Sequence, residues 1–331
     1  MRWLIASLTF FLWVLPAATL AQPVCGGIDL IDAMGDEDRA ALMAEVEAEA
    51  YGKGLLWRAS KDGAIIEFFG TYHFKHAQTE THLERLKPMI DAANTLYLEI
   101  SNEDQAQMQV NMASDPSLMF ITEGPTLPDL LGEEDWKVYS EAMRARNIPG
   151  FMAAKFKPFW ATMMLGIGPC EAKSGAIEDT GIDVLVGEYG ERVGLISRSL
   201  DDITSLLTVL DSDPLEDQLN LIRLTLAWPG DFDDMSFTIR DRYLAEEVGL
   251  IWAFSKALSL NFGGPTAEKD FNRMTQLLLE DRNRAWVDTL VAQTVPGDRV
   301  FVAVGAAHLP GEIGVLQMLE REGFTIERLE M

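Results

Sequence analysis

The chain has 331 residues, enough to bury a large core in one large domain or two modest ones. Its hydrophobic share of 48% and charged share of 24% are typical of a globular protein. Its 52 acidic residues outnumber its 27 basic residues, which gives a formal net charge of −25 at pH 7. A charge this negative argues against nucleic acid or an anionic membrane surface as a partner.

The first 21 residues have the pattern of a secretory signal peptide. Arg2 precedes a mostly apolar run, and Pro16 and small residues lead to a predicted cleavage site after Ala21. The apolar run is shorter than the ~20 residues that a membrane span needs, which disfavours the alternative of a retained anchor. The sequence therefore predicts an exported protein, periplasmic or secreted, without stable membrane insertion after cleavage. We expect the remaining residues, 22–331, to form a single domain.

Two cysteines, Cys25 and Cys170, allow one intramolecular disulfide. Because disulfides form and persist in oxidising compartments, an exported chain is expected to contain this bridge. The alternative is two free or separately buried thiols.

The next segment predicts a hairpin followed by a strand–helix–strand unit. The dipeptide Asp62-Gly63 predicts a tight turn between strands over 55–60 and 64–69. A helical pattern then crosses to an apolar strand over 95–98, and Pro88 predicts a kink or a restart within that helix. His73 and Glu99 follow the two strands, where open α/β sheets bind ligands.

The middle of the chain is predicted to be largely helical, with a helical insertion at about 102–170 and further helices at about 200–295. Continuous helices are expected over 233–258 and 268–295, and a short strand over 192–197. The aromatic segment 151–164 is interpreted as a buried helix face or lid, with an apolar substrate wall or partner groove as the alternative.

The last quarter returns to an α/β pattern, with a strand over 299–304, a helix near 311–322 and a strand over 324–329. The parallel unit, the added hairpin strand and the helical middle together predict the fold class. It is α/β, with a mixed central sheet, flanking helices and a largely helical middle insertion.

One pattern occurs twice, a strand followed by Gly-x-x-His, at Gly70 to His73 and at Gly305 to His308. A glycine there allows a sharp turn and leaves room for a ligand. Glu99 ends an apolar strand, where an unpaired carboxylate would be costly to bury. Two imidazoles and a carboxylate suit a divalent metal ion, so His73, Glu99 and His308 are the predicted metal ligands. The alternative is that these histidines are structural.

The loop and helix after His73 carry weaker candidates. His76 forms a His-x-x-His pair with His73 but is expected to lie exposed in a loop, and His82 is expected to begin a helix. Glu80 is a candidate general base, and the alternative is that it caps that helix.

Two further sites lie in predicted helices. Arg282 and Asn283 could hold a carboxylate or stabilise an oxyanion, with a surface ion pair to Asp281 as the alternative. Asp183 is expected either to contribute to the site or to cap its helix. Asp201 and Asp202 are expected in the first turn of the next helix.

Several common catalytic signatures are missing from the sequence. It contains no G-x-S-x-G, no Gly-rich phosphate loop with lysine, no His-Glu-x-x-His and no cysteine cluster. The sequence therefore lacks the central motifs of serine hydrolases, nucleotide-binding proteins and zincins.

Five motifs, taken in order, resemble those of the TraB/GumN family. They are Phe69-Gly-Thr-Tyr-His73, Leu96-Tyr-Leu-Glu99, Thr180-Gly-Ile-Asp183, Asp281-Arg-Asn283 with Trp286, and Val302-Ala-Val-Gly-Ala-Ala-His308-Leu-Pro-Gly311. The resemblance runs from about residue 50 to the C-terminus. The family includes the pheromone-shutdown proteins and is similar to the Tiki Wnt-inactivating proteases and, more distantly, to the erythromycin-esterase/ChaN-like group.

The resemblance implies a metal-dependent hydrolase site at His73, Glu99 and His308, with Arg282 and Asn283 as the Arg-Asn pair of the family. One segment departs from the family pattern. Where members often carry a Leu-Glu-Thr-like segment after the central strand, this chain reads Ile196-Ser-Arg-Ser-Leu200.

The first hypothesis is an exported, peptidase-like hydrolase that uses a divalent ion of unidentified type on a peptide or small-molecule substrate. In it, Glu80 or another carboxylate moves protons, and Arg282 or Asn283 stabilises the oxyanion. The second hypothesis is a binding protein that sequesters a small ligand, a peptide or a haem-like molecule without turnover. The departure at 196–200 and the aromatic middle segment favour it. A third is a structural partner in export.

Overall fold

The computed structural model describes residues 25–175 and 181–331. The predicted signal peptide and Thr180 lie outside these ranges. Within them the fold class is confirmed as α/β, with a mixed six-stranded sheet and helices on both of its faces.

The sheet contains β1 (Leu56–Lys61), β2 (Ala64–Thr71), β3 (Thr95–Leu98), β4 (Ser197–Ser199), β5 (Arg299–Gly305) and β6 (Thr325–Leu329). The spatial order is β4-β3-β5-β2-β1-β6, in which the first four strands are parallel and the hairpin strand β1 and the last strand β6 are antiparallel to their neighbours. Asp62 and Gly63 both have positive φ, 51° and 84°, as the predicted tight turn requires.

The helices are α1 (Asp36–Glu47), α2 (Thr79–Ala92), α3 (Asn102–Ser114), α4 (Leu127–Leu131), α5 (Glu133–Arg144), α6 (Gly150–Ala153), α7 (Pro158–Gly166), α8 (Pro169–Lys173), α9 (Ile182–Arg192), α10 (Ile203–Leu210), α11 (Leu215–Ala227), α12 (Phe232–Leu244), α13 (Val248–Phe262), α14 (Ala267–Thr275), α15 (Asp281–Gln293) and α16 (Val315–Arg321). In neither described range is any helix long and apolar enough to cross a bilayer.

The structure revises several of the predicted elements. The helix with Pro88 neither restarts nor ends there, because its face of Leu83, Leu86 and Ile90 is buried against the sheet throughout. The predicted strand over 192–197 begins only at its last residue, since α9 continues to Arg192.

The long helices expected over 233–258 and 268–295 are each interrupted. The first divides into α12 and α13 at Glu246, which has the left-handed φ of 61°. The second consists of α14, a π-helical turn over Gln276–Glu280, and α15. The helix expected near 311 begins at Val315, because the chain first turns at Gly311 with a φ of 81°.

Each face of the sheet has its own core. On one face, Phe68, Val302 and Val304 pack with Trp286 of α15 and Leu316 of α16. The opposite face packs against α2, α9 and α12. The middle helices α4 to α7 share a separate apolar cluster with α11.

The aromatic segment 151–164 belongs mainly to that separate cluster. Phe156 is buried and stacks on Phe120, and Trp160 packs against the cluster, whereas Phe151 is exposed. The segment is therefore two short helices, α6 and α7, whose inner side chains contribute to this core, whereas Phe151 and Met163 are exposed.

The predicted Cys25–Cys170 disulfide is present, and it closes a loop of 145 residues. Its surroundings are polar and well connected. The backbone N–H of Cys170 donates to Asp233 Oδ1 at 2.7 Å, and Arg240 contacts both the carbonyl oxygen of Cys25 and Glu171. The bridge thus ties the start of the described chain to α8 and α12.

We predict that removing the bridge lowers stability, because it closes a long loop in the unfolded chain. The double variant Cys25→Ser/Cys170→Ser is expected to lose about 2–4 kcal/mol of unfolding free energy, measured by urea denaturation. Dithiothreitol should lower the wild-type value to that of the variant and leave the variant unchanged. Equal stability of the oxidised wild type and the variant would contradict the prediction.

Candidate functional site

Four neighbouring parallel strands deliver polar side chains to one edge of the sheet. In the spatial order β4-β3-β5-β2, the residues that follow them include Asp201, Glu99, His308 and His73. Because parallel strands all end at the same edge, residues far apart in sequence meet there. The structure thus brings His73, Glu99 and His308 together.

A side-chain amide sets the tautomer of His308. Asn283 is fully buried, and its Nδ2 donates to the carbonyl oxygen of Ile313 at 2.7 Å. Because Nδ2 makes that bond, the Oδ1 atom of Asn283 is the one that faces His308, and it lies 2.6 Å from His308 Nδ1. An amide oxygen can only accept, so Nδ1 of His308 carries the proton and Nε2 carries the lone pair. Asn283 is therefore a positioning residue for His308.

Arg282 lies between His308 and two carboxylates. Its Nη1 is 3.1 Å from His308 Nε2, its Nη2 contacts Glu99 Oε2, and its Nε donates to Asp201 Oδ2 at 2.9 Å. Its guanidinium also stacks on Trp286, 4.8 Å from the ring centroid. The alternative of a surface ion pair with Asp281 is therefore wrong, because the Arg282 side chain is only 14% exposed and turns into the site.

A local distortion of the helix precedes Arg282. The π-helical turn Gln276–Glu280 ends at the residue before Asp281, and Arg282 Nη1 also donates to the carbonyl oxygen of Leu278 within that turn. Such π-turns widen the helix by one residue and commonly occur at functional sites.

Gly305 leaves space at the centre of the cluster. A Cβ at this position would lie 2.9 Å from Glu99 Oε1, 3.4 Å from His73 Nε2 and 3.6 Å from His308 Cδ2. The backbone N–H of Gly305 also donates to Glu99 Oε1. The first glycine of the second Gly-x-x-His turn thus marks a point that all three predicted ligands approach.

The charges at this edge follow from the contacts. Burial alone would raise the pKa of Glu99, but His308 (once protonated at low pH), His73, Arg282 and the Gly305 N–H lower it to about 2. Desolvation and the neighbouring Arg282 lower the pKa of His308 to about 3 against the opposing effect of Glu99, so this imidazole is neutral at pH 7. The positive charge that offsets Glu99 therefore comes from Arg282 and His73.

His73 is held by Asp183, which the sequence analysis considered as a site residue or a helix cap. Asp183 is in the first turn of α9, and its Oδ2 is 3.3 Å from His73 Nδ1. The His73 side chain is 60% exposed, and the hydrogen bond and charge of Asp183, together with the charge of Glu99, raise its pKa to about 9. A side chain at Gly181 would collide with the His73 carbonyl oxygen, so a glycine is needed beside this contact.

The residue types fit a divalent cation, with two obstacles. Tetrahedral zinc ligands at ~2.1 Å from the ion lie about 3.4 Å apart, and His308 Nε2 is 3.8 Å from Glu99 Oε1. However, Arg282 occupies the lone pair of His308, and His73 must lose a proton before it can bind a metal. In the described parts of the chain, no group of three His, Cys, Asp or Glu side chains is already arranged around an ion position.

Glu80 lies outside this cluster. It is exposed in the first turn of α2, which begins without a side-chain cap, and it makes no hydrogen bond or ion pair within the described ranges. In the described structure Glu80 therefore neither contacts the cluster as a general base would nor caps α2.

His76 and His82 form a separate aromatic group. Both are buried, and their rings lie 5.3 Å apart and pack against Tyr243. His82 lies in the first turn of α2, as expected. The expectation of an exposed His76 is wrong, because the loop folds its ring between Tyr72 and Tyr243.

Asp201 is the main site residue that the sequence analysis missed. It was expected in a helical first turn, but Asp202 is the N-cap of α10 and accepts from the backbone of Thr204 and Ser205. Asp201 instead binds Arg282 and accepts from Trp286 Nε1 at 2.7 Å. It directly follows the segment 196–200, so a carboxylate is present next to the segment that departs from the family pattern. The doubled aspartate was the available signal.

Most of the chain matches the model of a known protein family. A family model described as the TraB/PrgY/gumN family matches residues 55–328. A search of curated proteins finds no match. The matched range includes all six strands except the last residue of β6 and every residue of the cluster at the sheet edge.

We predict that Asp183→Asn lowers the pKa of His73 from about 9 toward its ordinary value near 6.5, because the ion pair is lost. The pKa of His73 is higher in the folded protein than in the unfolded chain. The ion pair of His73 with Asp183 therefore stabilises the fold fully below pH 6.5, and this stabilisation is lost as the pH rises through 9. NMR titration of the metal-free protein measures the pKa. Glu188→Gln, on the exposed face of the same helix, is the control. An unchanged His73 pKa in Asp183→Asn would refute the assignment.

Proposed function

The chain belongs to the TraB/PrgY/gumN family, and from this premise we propose that it is an exported metal-dependent hydrolase that acts on peptides. The observation that carries the proposal is the approach of His73, Glu99 and His308 to one point beside Gly305. These three donors follow β2, β3 and β5, three adjacent parallel strands, so the sheet itself fixes their spacing. The choice of peptides rests on the resemblance to the Tiki proteases.

His73, Glu99 and His308 would hold the ion, and the side chains behind them set their orientation. When bound there, a divalent ion would supply a nucleophilic water near neutral pH and polarise a carbonyl group. Asn283 and Asp183 each contact the Nδ1 atom of one histidine, which orients both Nε2 atoms toward the proposed ion, although Arg282 contacts the Nε2 atom of His308. Arg282 contributes a fixed positive charge that suits a developing oxyanion.

Export is supported by two independent features. The first 21 residues have the signal-peptide pattern, and the Cys25–Cys170 bridge is the kind of bond that persists in an oxidising compartment. A divalent ion of unidentified type is the proposed cofactor, and a peptide is the proposed partner.

A second candidate function is ligand binding without turnover. It is favoured by the contact of Arg282 with His308 Nε2, because this contact occupies a proposed metal ligand. The two cations Arg282 and His73 would then hold an anionic group of a small ligand or peptide. Recovery of the bound ligand intact, with no cleavage of peptides over long incubation, would select this function.

We predict that His73→Ala and His308→Ala each lose the bound ion and the hydrolysis of a peptide library. Elemental analysis of protein purified without chelator gives the metal content, and cleavage is then assayed with each candidate ion. Loss of one ligand or its support typically weakens metal binding about 10-fold to 100-fold or more. Full metal occupancy in both variants would end the metal-dependent proposal.

We predict that Glu80→Gln keeps both metal content and peptide cleavage, because Glu80 is exposed and has no contact with the cluster. This variant also serves as the control for the histidine substitutions. A large loss of kcat with unchanged metal content would assign proton transfer to Glu80 instead, as one reading of the sequence suggests.

A further inference from the structure

Arg282 uses the atoms that a metal ion would need. A neutral imidazole has one ring nitrogen with a lone pair, and in His308 the bond to Asn283 Oδ1 assigns that lone pair to Nε2. Arg282 Nη1 is 3.1 Å from this atom, and Arg282 Nη2 contacts Glu99 Oε2. One guanidinium therefore occupies two of the three proposed metal ligands.

Several hydrogen bonds hold the guanidinium of Arg282 in place. Asp201 Oδ2 accepts from both Nε and Nη2 of Arg282, and Asp201 Oδ1 accepts from Trp286 Nε1 at 2.7 Å. The carbonyl oxygen of Leu278 accepts a further bond from Nη1 at 2.8 Å. The side chains of Arg282 and Asp201 are only 14% and 9% exposed, so water competes weakly for these bonds.

We infer that Arg282 is a built-in competitor of the metal ion, held in place by Asp201, so that the ion binds only when Arg282 Nη1 releases His308 Nε2. This inference rests on the proposed function. Two physical reasons support it. One lone pair serves one partner at a time, and two cations that share a carboxylate repel each other at short range. Asp201 acts as a positioning residue, because it keeps the guanidinium at the site.

The test uses a charge-matched double variant, Arg282→Met with Asp201→Asn. The wild-type group of Arg282, Glu99 and Asp201 contains one cation and two carboxylates, and the variant retains one carboxylate, so the formal charge is −1 in both. Asn at 201 still offers an oxygen to Trp286. Arg284→Met is the matched control, because Arg284 is two residues away on α15 and is exposed in an ion pair with Glu280.

Isothermal titration of the metal-free proteins with zinc chloride and manganese chloride measures the affinity. The double variant is expected to bind an ion about 10-fold to 100-fold more tightly than the wild type, and Arg284→Met to match the wild type. Equal, measurable affinities in all three proteins would overturn the inference and leave the proposed function intact. Binding by the double variant alone would support the inference and end the proposed function of the wild type. Absence of binding in every protein would overturn both.

A metal-free measurement gives a second, independent readout. In protein with ¹⁵N-labelled histidine, the His308 Nε2 resonance reports the hydrogen bond from Arg282. The resonance should shift toward that of a free lone pair in the double variant and stay in place in Arg284→Met. An unchanged resonance in the double variant would show that Arg282 does not occupy His308, and the inference would fail whatever the titration gives. The same spectra establish that each variant is folded.

Discussion

The ion pairs between Arg282 and the two carboxylates of Glu99 and Asp201 are the interaction on which the sheet edge depends. Glu99 follows the apolar strand β3 and Asp201 follows Leu200 after β4, and the side chains of the two acids are only 17% and 9% exposed. A carboxylate buried without a partner is very costly, and removing one partner of a buried pair costs about 3–5 kcal/mol. One guanidinium offsets both charges, stacks on Trp286 and contacts His308, so the positions of β3, β4, β5 and α15 are coupled through it.

The features that the sequence predicted well are those set by a few adjacent residues. Asp62 and Gly63 accept the positive φ of a tight turn, so the hairpin was readable from two residues. The apolar run before Glu99 and the two Gly-x-x-His turns likewise identify strand ends, and parallel strand ends share one edge of a sheet. For this reason the meeting of His73, Glu99 and His308 followed from local pattern and one general rule.

The features that the sequence did not predict depend on partners far along the chain. Arg282 and Asp201 are 81 residues apart, and no local signal distinguishes a buried pair from two surface charges. No residue of the segment Gln276–Glu280 signals the π-turn that precedes Arg282, and the burial of His76 depends on Tyr243 of a distant helix. Residue type thus identified the polar side chains that meet at the strand ends, whereas the choice among charged helix residues required the three-dimensional packing.

The order of the strands explains why this site can exist only in the complete fold. β5, from the last quarter of the chain, lies between β2 and β3 and pairs with both. Until it is in place, His73 and Glu99 belong to separate segments, and Glu99 lacks the Gly305 N–H that it accepts from. α15 must also dock, because it carries Arg282 and Asn283. Contacts of such long sequence separation form late, since the loop entropy must be overcome before they contribute. The acids at the strand ends are therefore neutralised only when both ends of the chain have assembled, which couples formation of the site to completion of the sheet.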